Sequence, residues 1–168
     1  MPTQGALGLD GFNGLTERQR MNLLFGVCSS TIWARRVLAG GPFRDADALL
    51  DRADRVLAEL PDAEIDAALD GHPRIGARAD NASSAREQAA VATAADSVKA
   101  ELAARNAEYE AQFGYVYLVC ASGRSAEELL EILTERLHND PETERRVMRS
   151  ELAKINRLRL ERLLSEPA

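Results

Sequence analysis

The chain has 168 residues and a formal net charge of −6, a length that suits one domain with a single core. The acidic balance argues against a general nucleic-acid surface, and no apolar run approaches the ~20 residues that a membrane span needs. The start of the chain lacks a basic segment followed by an apolar one, so we expect a cytoplasmic protein without nucleic-acid or membrane partners. The two cysteines and two histidines are too widely spaced to form a zinc pattern, and no glycine-rich phosphate motif occurs. We therefore expect no metal and no cofactor.

The first half of the chain predicts short helices separated by clear stop signals. Residues 1–14 are rich in glycine and are expected to be loose, with residues 1–10 flexible. Thr16 and Gln19 form a capping box that predicts the start of a first helix. Ser29 and Ser30 predict the start of a short second helix, which Gly40-Gly41-Pro42 ends. Asp45 then caps a third helix.

The second half is predicted to begin with one long helix over about residues 84–112. Its apolar side chains fall on one stripe within ~40° of each other at 100° per residue. The stripe comprises Val91, Ala95, Val98, Leu102, Tyr109 and Phe113. Continued backwards along the same helix, it includes Glu87. Residues 115–120 are a short apolar run without a partner strand, so we expect an extended crossing or a short helical turn there. Asp140-Pro141 predicts a last helix that runs to about Leu164.

These elements predict an all-α fold. We expect a single-domain helical bundle over residues 1–168, with roughly seven to eight helices and one short extended segment near 115–120. Trp33 and Tyr117 are interpreted as core residues. Three arginines of the last helix alternate with acidic side chains, which is typical of a solvated, ion-paired face. These six residues are Arg145, Arg146, Arg149, Glu142, Glu144 and Glu151.

Three polar side chains interrupt patterns that otherwise predict scaffold. His72 follows the predicted end of a helix, and Pro73 prevents that helix from continuing. Glu87 points with an apolar stripe, and Arg159 lies near the centre of the apolar face of the last helix, where it requires a carboxylate or a polar cavity. Each has a structural alternative. His72 can cap a helix end, Glu87 can complete a capping box with Ser84, and Arg159 can belong to a structural ion pair.

Five motifs together resemble a known family. They are His72-Pro73-Arg74-Ile75-Gly76, Ser84-x-x-Glu87-Gln88, Asn106-x-x-Tyr109-x-x-x-Phe113-Gly114, Arg136-Leu137-x-Asn139 and Ile155-x-x-Leu158-Arg159-Leu160. Their order and approximate spacing resemble the OHCU decarboxylase family, bacterial type, whose substrate is 2-oxo-4-hydroxy-4-carboxy-5-ureidoimidazoline (OHCU). The resemblance covers about residues 10–164.

The resemblance implies an all-α homodimer that needs no cofactor and converts OHCU into (S)-allantoin in urate degradation. It implies His72 and Glu87 as the catalytic pair and Arg159 as a substrate ligand. The other pocket residues that it implies are Pro73, Ser84, Gln88 and the main chain of Tyr117 through Val119.

Two functions of other classes stay open at this point. The first is a non-enzymatic helical interaction domain, in which His72, Glu87 and Arg159 are structural. The second is a helix-turn-helix regulator, against which the acidic net charge and the acid-interleaved arginines argue.

Overall fold

A computed structural model describes residues 7–70, 72, 89–92 and 94–165, and within them every regular element is helical. The helices are α1 Gly8–Gly14, α2 Glu17–Val27, α3 Thr31–Ala39, α4 Ala46–Glu59, α5 Asp62–Leu69, α6 Ala89–Ala92, α7 Asp96–Phe113, α8 Ala126–Arg136 and α9 Pro141–Ser165. The all-α prediction is confirmed. No helix in the described part of the chain is long and apolar enough to cross a membrane.

The chain divides into two compact units, Met1–Ala68 with Ala153–Ala168, and Leu69–Leu152. The assignment of residues 1–168 to a single domain stays a prediction.

In the first unit, capping side chains begin the helices where the sequence predicts. The Thr16 hydroxyl accepts from the Gln19 N–H (3.2 Å), and the Gln19 side chain accepts from the Thr16 N–H (2.9 Å). Asp45 accepts from the Ala48 N–H at 2.8 Å, and Ser30 caps α3 in the same way. These bonds satisfy backbone donors that have no partner inside the helix.

The core of the first unit forms where α3 packs against α2 and α4. Trp33 is completely buried there, and its indole N–H donates to the Ala53 carbonyl at 3.2 Å. The prediction that Trp33 is a core residue is confirmed. Burying an indole with its one donor satisfied avoids the cost of an unpaired buried polar group.

The expectation of a loose N-terminus is wrong for Gly8–Gly14, which forms α1. Phe12 of this helix is fully buried. Asn13 makes two bonds with Phe43, donating to its carbonyl at 2.8 Å and accepting from its N–H at 3.3 Å. Burial of one aromatic ring and this paired contact outweigh the low helix propensity of the glycines.

In the second unit, α7 packs against α8 and both contribute to one apolar cluster. The cluster includes Leu102, Tyr109, Leu129 and Leu133. Gly114 ends α7 with φ 84°, a left-handed conformation that favours glycine, and its N–H donates to the Glu110 carbonyl.

The residues that follow Gly114 cross the unit without regular secondary structure. Residues 116–121 form neither helix nor strand. Tyr117 and Val119 are buried in the apolar cluster. This agrees with the predicted extended crossing, and the alternative of a short helical turn is wrong.

The prediction of one continuous helix over residues 84–112 is wrong in the part that the structure describes. Helix α6 ends at Ala92 and α7 begins at Asp96, and Ala95 between them has ψ 146°, outside the helical region. The Asp96 carboxylate favours a helix start through its interaction with the N-terminal dipole. Ala95 is exposed rather than part of a buried stripe. A helical stripe cannot be continued through a non-helical residue, so the extrapolated direction of Glu87 loses its basis.

Candidate functional site

His72 lies just past the C-terminal end of α5, as predicted. Its main-chain N–H donates to the Leu69 carbonyl at 2.9 Å, and the residue is half-buried. This bond supplies a partner for one of the last carbonyls of the helix. The other predicted site residues of this region, Pro73, Ser84, Glu87 and Gln88, lie outside the described residues, so their roles stay predictions.

Arg159 is buried in the first unit, as its position on the apolar face of α9 predicts. It is 8 % exposed, and its Nη1 donates to the carbonyl of Val27, the last residue of α2, at 3.1 Å. The carbonyls at a helix C-terminus carry partial negative charge and attract a cation. The guanidinium is therefore held by a main-chain group, which fixes one of its nitrogens.

Cys28 follows Val27 and is fully buried beside Arg159 and Asn156. Burial raises the pKa of its thiol to about 11, against smaller lowering effects of the Asn156 amide and the Arg159 charge. The thiol is thus neutral near pH 7 and is a poor nucleophile. Neither Cys28 nor Cys120 forms a disulfide.

Tyr117 and Val119 were expected to bind substrate through their main chain. The Tyr117 side chain is buried, and its hydroxyl donates to the Leu129 carbonyl at 3.0 Å. Val119 is buried as well. Both side chains belong to the core, as predicted for Tyr117. The hypothesis that this stretch binds substrate therefore concerns only its peptide groups.

The carbonyl of Leu118, between these two residues, accepts a hydrogen bond from Arg136 Nη1 at 2.7 Å. Arg136 is the last residue of α8 and is 5 % exposed. Its guanidinium carbon lies 4.9 Å from the centroid of the Tyr117 ring and 5.8 Å from that of Tyr109. Arg136 therefore holds both a carbonyl and a side chain of the irregular stretch, with cation–π attraction added to the hydrogen bond.

Arg136 is itself held by Glu144, a fully buried acid on α9. Arg136 Nε and Nη2 both donate to Glu144 Oε1, at 2.7 and 2.5 Å. The Tyr109 hydroxyl donates to the same oxygen, and the Asn139 amide donates to Oε2 at 3.0 Å. We call Tyr109, Arg136, Asn139 and Glu144 the buried polar cluster.

The surroundings of Arg136 and Tyr109 determine whether these two side chains are charged. Burial by itself lowers the pKa of Arg136, but the hydrogen bond and the charge of Glu144 outweigh it, so that the pKa is raised. Burial raises the pKa of Tyr109 far above its ordinary range, and the hydrogen bond to Glu144 raises it further. Tyr109 is therefore a neutral donor and Arg136 a permanent cation, a combination that suits anchoring rather than proton transfer.

The interpretation of Glu144 and Glu151 as members of a solvated face is wrong, because both are buried. Their alternation with arginines is the pattern of an exposed helix, but Glu144 precedes Met148 and Leu152 by four and eight residues. These three positions share one face of α9, and Met148 and Leu152 are completely buried. Helical spacing was thus the signal that could have identified Glu144.

Sequence comparisons relate most of the chain to one family. The sequence model of the family described as OHCU decarboxylase matches residues 13–161. The uric acid degradation bifunctional protein TTL of Arabidopsis thaliana is 32% identical over 149 residues, which cover 84% of this chain and 46% of that protein. The 2-oxo-4-hydroxy-4-carboxy-5-ureidoimidazoline decarboxylase of Amia calva is 41% identical over 63 residues, covering 38% of this chain and 36% of that protein. The matched region spans less than half the length of either relative.

Solved structures show the same fold. A crystal structure of OHCU decarboxylase in the presence of (S)-allantoin superposes with a TM-score of 0.75 at 29% identity, covering 83% of this chain and 95% of that one. A structure of (S)-allantoin synthase also reaches a TM-score of 0.75, at 15% identity, over 94% of this chain and 54% of that one. The second similarity concerns the fold alone.

Proposed function

Since this chain belongs to the OHCU decarboxylase family, we propose that it is a carboxy-lyase that converts OHCU into (S)-allantoin in urate degradation. One observation carries the proposal. The chain matches the family model from residue 13 to residue 161. Its coverage of 95% of a solved OHCU decarboxylase agrees with that match. We also propose that the protein acts in the cytoplasm and that it is a homodimer. Sedimentation of the purified protein tests the homodimer directly.

The proposed reaction requires little from the protein electronically. The bond between the ring and the carboxylate breaks, and its electron pair moves toward the adjacent C=N group of the substrate as CO2 leaves. A proton is then delivered to one face of the ring, which sets the configuration of the product. The protein has to bind the carboxylate, stabilise the developing charge and supply that proton.

We assign these tasks to the residues of the proposed site. His72 acts as acid or base at the hydroxyl and carboxylate of the substrate, and Glu87 holds the substrate and tunes the proton on His72. Arg159 binds a substrate carbonyl or carboxylate through its planar fork. Pro73, Ser84 and Gln88 line the pocket, with Gln88 offering both a donor and an acceptor to the ring.

The product's chirality tests the activity. Freshly generated OHCU is supplied to the purified protein, and the loss of its absorbance is followed together with the optical activity of the allantoin. Uncatalysed decay gives a racemate, so the proposal expects an excess of the S enantiomer. A racemic product formed at the uncatalysed rate would refute it.

Two substitutions test the catalytic pair. His72→Ala is expected to abolish CO2 release without loss of folding, whereas His138→Ala, which removes the only other histidine of the sequence, is expected to leave turnover unchanged. Glu87→Gln keeps a side chain that can complete a capping box but removes the carboxylate. A severe loss of activity at an unchanged melting temperature assigns Glu87 to catalysis, and near-wild-type turnover of either variant would remove that residue from the pair.

A further inference from the structure

The irregular stretch 116–121 lacks the hydrogen-bonding pattern of a helix or a strand. Regular elements fix their peptide groups through their own ladders, and an irregular stretch depends on other groups for the same precision. The proposed function asks the main chain of Tyr117 and Val119 to bind substrate. The side chains that hold this stretch therefore bear on how well the substrate is bound.

Arg136 reaches the middle of the stretch. Its Nη1 donates to the Leu118 carbonyl, and its guanidinium lies against the ring of Tyr117. Leu118 stands between the two residues whose peptide groups are at issue. A bond to its carbonyl restrains the peptide planes on either side, because each plane is rigid and shares a Cα atom with the next.

The guanidinium is fixed in turn by Glu144. Two of its nitrogens donate to Glu144, and the third donates to the Leu118 carbonyl. A planar group held on two edges keeps one orientation. Asn139 and Tyr109 hold the carboxylate itself. The position of the Leu118 carbonyl is thereby tied to a fully buried group on α9.

We propose that Arg136 is a positioning residue for substrate binding, which fixes the Leu118 carbonyl and through it the peptide groups of Tyr117 and Val119. Arg136 itself does not contact the substrate. The inference rests on the proposed function, and it adds the buried polar cluster to the residues on which the affinity for OHCU depends.

Two variants separate positioning from stability. Arg136→Lys keeps a cation beside Glu144 but has no planar fork with which to bind Glu144 and Leu118 together. The double variant Arg136→Met/Glu144→Leu removes both charges, so that no buried charge is left unpaired and the fold is retained, but it leaves no donor for the Leu118 carbonyl. Leu102→Ala is the control, because it destabilises the same unit from a fully buried position outside the buried polar cluster.

The readout is the division of the effect between KM and kcat for OHCU decarboxylation at 25 °C. For both Arg136 variants the expected result is a KM raised about tenfold with kcat changed less than threefold. This is the pattern when an interaction that stabilises the bound substrate and the transition state equally is lost. Leu102→Ala is expected to keep the KM of the wild type. If the double variant keeps the wild-type KM, or if Leu102→Ala raises KM equally, the inference is overturned while the proposed function stands. A wild-type protein without activity refutes the proposed function and the inference with it.

Discussion

The buried pair Arg136–Glu144 allows a quantitative prediction about folding. The side chains are 5 % and 0 % exposed, so both charged groups are buried. We consider Arg136→Met, Glu144→Leu and the double variant as a thermodynamic cycle. Each single substitution leaves one charge buried without its counter-charge, whereas the double substitution leaves none.

The magnitudes follow from this burial. Breaking a buried pair by removing one partner costs about 3–5 kcal/mol, and replacing both partners by apolar groups is roughly neutral. The changes in the free energy of unfolding of the two single variants should therefore not add up to that of the double variant. The interaction energy between the two residues should exceed about 3 kcal/mol. A loss of 3–5 kcal/mol lowers the melting temperature of a domain of this size by roughly 6–20 °C.

Urea denaturation followed by circular dichroism measures the free energy of unfolding of all four proteins. The exposed pair Arg105–Glu108 supplies the matched control, because its side chains are 40 % and 56 % exposed at a similar distance of 2.9 Å. The same cycle there should give about 0.5 kcal/mol or less. Single variants at Arg136 and Glu144 that each cost less than about 1 kcal/mol, or that add in the double variant, would refute the reasoning.

Three further predictions concern the rest of the chain. Burial raises the pKa of Cys28 to about 11, so its contribution to stability is complete below about pH 9 and is lost as the pH rises from 9 to 11. The free energy of unfolding should fall more steeply over that range in the wild type than in Cys28→Ala, and equal slopes would contradict the assignment. Gly114→Ala should cost about 1 kcal/mol, because φ is 84° and no neighbouring atom opposes the new Cβ, so the strain is in the backbone alone; an unchanged urea midpoint would argue against the left-handed cap. Phe12→Ala should cost about 3–5 kcal/mol, whereas Phe25→Ala, at a side chain 47 % exposed, should cost little; equal effects in thermal melts would mean that α1 is not packed.

Local signals predicted the parts of the structure that depend on local chemistry. The Thr16 and Asp45 caps lie within three residues of the N–H groups that they satisfy, so their sequence pattern is sufficient. Arg159 was identified because a charge on an apolar helical face requires a carboxylate or a polar cavity. The sequence did not indicate that the Val27 carbonyl, 132 residues away, binds it.

The burial of Glu144, which sequence reasoning missed, depends on distant residues. Glu144 is buried because Tyr109 and Arg136, which are 35 and 8 residues away along the chain, supply its donors. Its immediate neighbours give the charge pattern of a solvated helix. The break between α6 and α7 falls in an alanine-rich stretch with no glycine or proline to mark it. For Glu144 packing determined the outcome, and local propensity carried no information about it. At the break a local signal was present in the Asp96 carboxylate, which favours a helix start.

The buried polar cluster also restricts how this sequence can drift over evolutionary time. A lineage that replaces Arg136 first, or Glu144 first, passes through a protein with one buried charge and no counter-charge. That intermediate gives up about 3–5 kcal/mol out of a total stability of roughly 5–15 kcal/mol. The two positions are therefore expected to exchange together or to stay as they are, so that among distant relatives an arginine at the first position should predict an acid at the second.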